Sequence, residues 1–478
     1  MKQTHQTQAL SLGTALIPLV VLIVLLAGNV WVYGDDALGG SNQFILLIGG
    51  AVAALVGFLH KRSYQTMLDR VADNLKSVTG AILILLFVGA LAGTWLIGGI
   101  IPGMIYYGLQ ILHPSIFLPA CIVICALISL ATGSSWTTSA TVGIALIGIG
   151  KALGIPVGMV AGAVISGAYF GDKLSPLSDT TNLAPAMSGG DLFSHIRYMT
   201  LTTVPSILVT LVVFVILSFT ISSDGQADTA LMLQSIDTAF TINLWLFLAP
   251  LIVILLIVRK TPPLVALFIG TLLGALSALI FQQQVLLDLA GASYFESIYR
   301  VIMDAMTVST QIETTNPMLN DLFSSGGMEG MLGTIWLIIC AMVFGGIMDG
   351  IGALTAISNA LLSWAQTTFQ LFASTVASCL AINISASDQY LSIVVPGKMF
   401  QKAYQDRGLA PENLSRTLED SGTVTSVLIP WNTCGAYQSG VLGVGVADYF
   451  LYAIFNWISP FMTLLFAAFH IKIKALKN

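Results

Sequence analysis

Four short stretches of this sequence carry oxygen-rich side chains inside apolar surroundings. Residues 129–141 hold eight hydroxyl side chains in thirteen positions, among them Ser134, Ser135 and Thr138. Residues 172–185 add two acids, Asp172 and Asp179, with Ser178, Thr181 and Asn182 and the helix breakers Pro176 and Pro185. In the second half of the chain, Asn383, Ser387 and Asp388 form a third stretch. Glu419, Asp420, Thr423 and Asn432 form a fourth, with Pro430 and Trp431 near its end. Hydroxyls, amides and carbonyls freed where a helix is interrupted are the ligands of a hard monovalent cation such as sodium. A carboxylate among them adds the charge that offsets dehydration, and it can hold a proton instead. Asp179, set among Ser178, Thr180, Thr181 and Asn182, heads the expected ligand cluster.

The elements that must position these groups lie in a bilayer. The chain has 478 residues, 56% hydrophobic and 9% charged, with a mean hydropathy of +0.88. Soluble domains carry about a quarter charged residues, so secreted, nucleic-acid-binding and ordinary cytosolic classes are excluded. A net charge of −5 offers no basic surface to a nucleic acid. The five cysteines sit in apolar surroundings and form neither a disulfide framework nor a metal set. The five histidines fall at the termini or at segment ends and read as interfacial. No catalytic triad and no Gly-Lys-Ser/Thr phosphate loop is present, so the reading is neither an enzyme nor an ATP-driven pump, with no cofactor.

The expected fold is an all-α polytopic membrane protein. The first apolar run, Leu10 to Val32, is too long for a signal peptide and reads as a retained helix. Six more runs follow near 43–60, 80–101, 115–131, 135–150, 156–171 and 193–222. Seven others lie near 242–258, 262–281, 331–349, 351–365, 371–397, 417–440 and 448–470. Polar separators include Gly34-Asp35-Asp36 and Ser222-Ser223-Asp224-Gly225, and weakly hydrophobic arms cover 61–78 and 282–330. With the N-terminus inside, fifteen of the eighteen Lys and Arg residues fall on the cytoplasmic side, leaving out Lys151, Lys173 and Arg300. Basic residues accumulate there, so both termini are expected in the cytoplasm. An odd number of passages per half inverts the second half. The division is a repeat over 1–223, an external connection over 224–241 and an inverted repeat over 242–478, with broken or re-entrant helices meeting near the midplane. Paired breaks at corresponding places point to a transport site between the repeats.

A structural reading competes at each residue. Membrane hydroxyls often bond to carbonyls of their own helix. Asp172 and Lys173 could form an ion pair at a helix end, and Glu419 and Asp420 could favour a helix N-terminus through its dipole. Asp349 suits a membrane boundary, and Trp136 and Trp431 suit packing.

At the breaks the sequence resembles the NhaC-type sodium/proton antiporter family. The resemblance rests on Thr132-Gly133-Ser134-Ser135-Trp136 with Thr141-Val142-Gly143, and on the long segment from Gly167 to Pro185. Glu419-Asp420-Ser421-Gly422-Thr423 and Pro430-Trp431-Asn432-Thr433-Cys434-Gly435 match as well. It implies a bacterial inner-membrane exchanger of sodium for protons, with relatives that exchange malate for lactate or carry amino acids. One departure is Thr137 after the tryptophan, where the family pattern has glycine, followed by Thr138 and Ser139. The extra hydroxyls would add cation ligands or reshape a pocket for an organic solute. The expected partners are the lipid bilayer, Na⁺, H⁺ and, in the alternative, a small organic anion or amino acid; a homodimer is compatible with the sequence.

The threading makes a prediction. Single cysteines near Lys61 and Lys402 will label from the cytoplasm, and those near Asp36 and Asp228 from outside. Labelling of Lys402→Cys from outside would refute the inverted arrangement.

Overall fold

The computed structural model describes residues 10–33, 37, 39–111, 113–220, 226–291, 295–314 and 317–476. The separators at 34–36 and 222–225 lie outside the described residues. The chain opens with α1 (Leu12–Tyr33), α2 (Ser41–Leu59), α3 (Tyr64–Ser77), α4 (Thr79–Ile97) and α5 (Ile100–Ile111). A hairpin follows. Its first arm is α6 (Pro114–Thr132) and its second is α7 (Ser135–Thr138), a π-helical turn (Ser139–Gly143) and α8 (Ile144–Ala152). Next come α9 (Val157–Leu174), α10 (Asp179–Ser188), α11 (Leu192–Ser218) and α12 (Gln226–Ala239).

A similar order of elements then recurs. It runs through α13 (Leu248–Val258), α14 (Pro263–Phe281), the arm helices α15 (Gln283–Ala290), α16 (Phe295–Thr307) and α17 (Pro317–Leu322), then α18 (Leu332–Gly350) and α19 (Ala353–Ser363). A second hairpin pairs α20 (Thr368–Ser385) with α21 (Gln389–Asp406). A second interrupted segment consists of α22 (Pro411–Leu418), a π-helical turn (Glu419–Thr423) and α23 (Thr433–Leu442). It leads through α24 (Val446–Phe450) to α25 (Ile454–Ala468). The arm carries a two-residue pairing of Thr310–Gln311 with Ser324–Ser325.

Among the described residues, eight helices are long and apolar enough to cross a bilayer, and α12 with α13, bent by 85°, makes a ninth if taken as one span. The other apolar runs are short or broken. At its start α6 meets the end of α8, because Gly150 faces Phe117 and also Val160 at the head of α9. Gly167 and Gly171 of α9 lie against the main chain of Ile122 and Ala126, so α6 and α9 run parallel in close contact. A Cβ at either glycine would stand 2.3 Å from a carbonyl oxygen, which leaves room for no other residue. The polar arm α3 buries Met67 and Val71 against Gly350 and Gly346 of α18, as its amphipathic pattern requires.

The second hairpin corrects the expected threading. The runs 351–365 and 371–397 do not cross one after the other. Arg407, beyond α21, donates to the carbonyl of Thr367 at 2.7 Å and to that of Ala365, while the rings of Phe372 and Tyr404 meet at 5.3 Å. The entry of α20 and the exit of α21 therefore share one end of the molecule. The eleven residues of α19 span only ~16 Å, about half a bilayer, so α19 does not cross. Hydropathy measures how apolar a run is but is blind to a reversal inside it. Two passages vanish together, so the orientation of everything downstream is unchanged. Gln366→Cys is therefore predicted to label from the same side as Lys402→Cys; labelling from opposite sides would restore the simple threading.

Candidate functional site

All four breaks converge. The first lies at Gly133, whose φ of 70° and 2.6 Å approach to the Leu177 side chain admit only glycine. Ser134 then caps α7, its Oγ accepting from Thr137 N at 3.2 Å. In the second hairpin the chain turns through Ser387, at φ 60°, and Asp388 caps α21 by accepting from Leu391 N at 2.8 Å. Short polar side chains favour such N-caps, so these residues both end one arm and begin the next. Ser178 caps α10 and Asn432 caps α23 in the same way.

The breaks are tied to one another by side chains. Asp172, buried near the end of α9, accepts at Oδ2 from Ser135 N at 3.1 Å and Ser135 Oγ at 2.7 Å, which joins the second break to the tip of the first hairpin. Its Oδ1 is buried and accepts no hydrogen bond in good geometry, with the Ser178 side chain close by. Lys173, fully buried, donates to Asp420, which also accepts from Thr202 Oγ1 at 2.8 Å and from Thr463. Asp179 accepts from Tyr390 of the second hairpin. Asn383 donates to the Gly422 carbonyl at 2.8 Å and to Thr425 at 3.1 Å, and accepts from Asn432 at 3.1 Å. Thr433 N donates to the Ser387 carbonyl at 3.0 Å. Trp136 stacks on Tyr437 at 4.0 Å, and Trp431 donates to the Ile384 carbonyl at 2.8 Å.

Between the hairpin tips lies a cavity of about 490 Å³. Its walls include Ser134, Ser135, Trp136, Asp172, Asp179, Asp388, Gln389 and Tyr390, and its mouth carries Ser77, Lys260 and Thr261. Three carboxylates against one lysine make the wall anionic, which draws cations inward.

The structure sorts the candidates. Ser134, Ser135, Asp172, Asp179 and Asp388 line the cavity. Thr181 gives its hydroxyl to the carbonyls of Asp172 and Lys173, at 3.3 and 3.1 Å, and Asn182 donates to those of Pro176 and Ser178. Both close the break around Asp179. Thr138 bonds the Ser134 carbonyl at 2.9 Å, as hydroxyls in membrane helices do. Asn383 and Asn432 knit the third and fourth breaks, while Ser387 and Thr423 are buried with unpartnered hydroxyls.

Three expectations are corrected. Lys173 pairs with Asp420 and not with its neighbour Asp172, because successive residues of a helix point about 100° apart. Glu419 and Asp420 lie in a π-helical turn at the far end of α22 and not at a helix N-terminus. His195 is buried, with Nδ1 2.7 Å from Ser415 Oγ, and is not interfacial. Asp349 meets Arg70 at 3.5 Å, as a boundary residue would. Sequence reasoning missed Tyr390, Thr202 and Thr463. Tyr390 directly follows a polar break, but the two threonines sit in ordinary apolar spans and carry no signal.

The buried pair predicts its own energetics. Lys173→Met leaves Asp420 charged and unpaired, and thermal unfolding in detergent will show a loss of about 3–5 kcal/mol. Adding Asp420→Asn will recover most of it; a double variant no more stable than the single would show that the pair is not what ties α9 to this turn.

The pattern that defines the Na⁺/H⁺ antiporter family matches residues 167–471. The Na⁺/H⁺ antiporter NhaC of Alkalihalophilus pseudofirmus is 37% identical over 87% of each chain. The malate-2H⁺/Na⁺-lactate antiporter of Bacillus subtilis is 36% identical over 87% of this chain and 86% of its own. The arginine/ornithine antiporter ArcD of Halobacterium salinarum is 32% identical over 95% of this chain and 91% of its own.

Proposed function

This chain belongs to the Na⁺/H⁺ antiporter family, and on that premise we propose that Asp172 is the carboxylate at which Na⁺ and H⁺ exchange. The chain is a secondary active antiporter, a transporter and not a member of an enzyme family. One observation carries the assignment. Asp172 has one oxygen fixed by two donors of the hairpin tip, while the other accepts no hydrogen bond in good geometry and has the Ser178 side chain close by, in the wall of the cavity. A buried carboxylate oxygen without a donor in good geometry is costly unless it holds a proton or a cation. Holding either in turn is what an exchanger requires. Asp179 and Asp388, in the same wall, supply the field that draws the cation in.

Lys260 lines the cavity, Arg259 precedes it in the chain and Lys76 sits in the last turn of α3 next to the lining residue Ser77. Basic residues accumulate on the cytoplasmic side, which supports a cavity that opens to the cytoplasm and, with the expected threading, cytoplasmic termini. Alternating access then rocks the half over 1–223 against the half over 242–478 about the crossed hairpins, within a bacterial inner membrane. A second reading is favoured by the size of the cavity, which falls in the range of small-molecule pockets. It is a Na⁺- or H⁺-coupled carrier of a small organic anion or amino acid, and the anionic wall favours a solute that bears an ammonium group.

Proteoliposomes with an internal pH dye decide between these readings. Na⁺ alone will move protons; movement only with malate, lactate or an amino acid present would establish the second reading. Proton binding at Asp172 excludes Na⁺, so half-saturating Na⁺ will rise about tenfold per pH unit below the pKa of that carboxylate, with little change in maximal rate. Asp172→Asn will abolish Na⁺ flux while Asp179→Asn weakens Na⁺ affinity. A half-saturating Na⁺ independent of pH would sink the shared-site mechanism.

A further inference from the structure

We infer that the Tyr390 hydroxyl makes this site selective for monovalent cations, by holding Asp179 back from an ion at Asp172. The inference rests on the Asp172 reading and adds a positioning residue to it. Tyr390 stands in the first turn of α21 and Asp179 is the first residue of α10, so their hydrogen bond joins the second hairpin to a break in the other half. Both side chains belong to the cavity wall, and both residues are exposed, Tyr390 at 39%. Asp172 and Asp388 are buried. Of the three carboxylates in the wall, Asp179 is therefore the one that an entering ion meets first. Its two oxygens are already engaged. Oδ1 accepts from Thr180 N at 2.9 Å, and Oδ2 accepts from the Tyr390 hydroxyl. Asp179 is also the charged neighbour of Asp172, and Ser178, which precedes it, reaches the same Asp172 carboxylate.

The hydrogen bond answers a problem that an anionic cavity creates. A dication feels the field of the wall twice as strongly as Na⁺ does. Two carboxylates completed by water hold Mg²⁺, and Ca²⁺ takes several oxygens of the same hard kind. A dication bound in that way blocks the exchange of Na⁺ for protons. One carboxylate among neutral hydroxyls and carbonyls instead balances a single positive charge. Tyr390 enforces the second arrangement, because an ion that recruits Asp179 as well as Asp172 must first break its bond to the tyrosine. A hydrogen bond to a charged acceptor shifts such an equilibrium by roughly tenfold to a hundredfold. Asp388 also faces the Tyr390 hydroxyl, and its own Oδ1 is held by Leu391 N at 2.8 Å. The carboxylates nearest the ion are thus fixed by donors of the protein, and Asp172 Oδ1 is left to the cation.

The test adds Ca²⁺ or Mn²⁺ to Na⁺-driven proton movement in proteoliposomes, at the half-saturating Na⁺ of each variant. Wild-type exchange will be insensitive to either dication at a concentration equal to that of Na⁺. Tyr390→Phe, which keeps the ring and loses the hydroxyl, will be inhibited competitively, with an inhibition constant about tenfold lower than that of the wild type. Tyr390→Leu lacks the same hydroxyl and will behave likewise. Adding Asp179→Asn to Tyr390→Phe will restore the insensitivity while leaving Na⁺ affinity weak. Mn²⁺ binding to the purified protein, read from the electron paramagnetic resonance signal of the free ion, will follow the same order independently of transport. Wild-type inhibition as strong as that of Tyr390→Phe would overturn the inference, and so would sensitivity that persists in the double variant. Hydroxyl-free variants that fold by size-exclusion chromatography yet neither bind Mn²⁺ nor respond to it would also overturn it. Failure of the Asp172 reading shows separately, as Na⁺ flux that survives Asp172→Asn.

Discussion

A helix broken inside a bilayer exposes main-chain amides and carbonyls that no lipid can satisfy, and that constraint organises this protein. Four breaks are present, and each is completed by side chains of another. Ser135 reaches Asp172, Lys173 reaches Asp420, Tyr390 reaches Asp179, and Asn383 joins Asn432 to the Gly422 carbonyl. No break could be sealed alone at such small cost. The convergence of the hairpins is therefore a condition of their stability.

The same constraint separates structure from function among similar residues. Polar atoms that close a break are consumed by it, as with Thr181, Asn182 and Thr138. Those left without a partner after the breaks are sealed, Asp172 Oδ1 among them, are the atoms with capacity to bind something else. The Lys173–Asp420 pair crosses between the halves and is fully buried, so it costs desolvation.

Close packing completes the frame. Glycines at 167 and 171 bring α9 against the main chain of α6, which holds Asp172 beside the hairpin tip within hydrogen-bond distance of Ser135. A larger residue at either position would push α9 away and open that bond.

The sequence by itself determined the membrane class, the helical composition, the positions of all four breaks and the family. Each of these is written in local chemistry: apolar runs of spanning length, hydroxyl clusters inside them, proline and glycine where helices end. The basic residues add an expected orientation, because they accumulate on the cytoplasmic side of a membrane regardless of what the chain does between crossings. Only the tertiary structure decided that the run 371–397 turns back on itself, that Lys173 serves Asp420 and not Asp172, and that Thr202 and Thr463 belong to the same cluster. Those facts depend on which faces of distant helices meet. Thr202 and Asp420 are 218 positions apart, and nothing near either residue records the other. A break announces itself in the residues around it, whereas a partner is chosen by packing across the whole molecule.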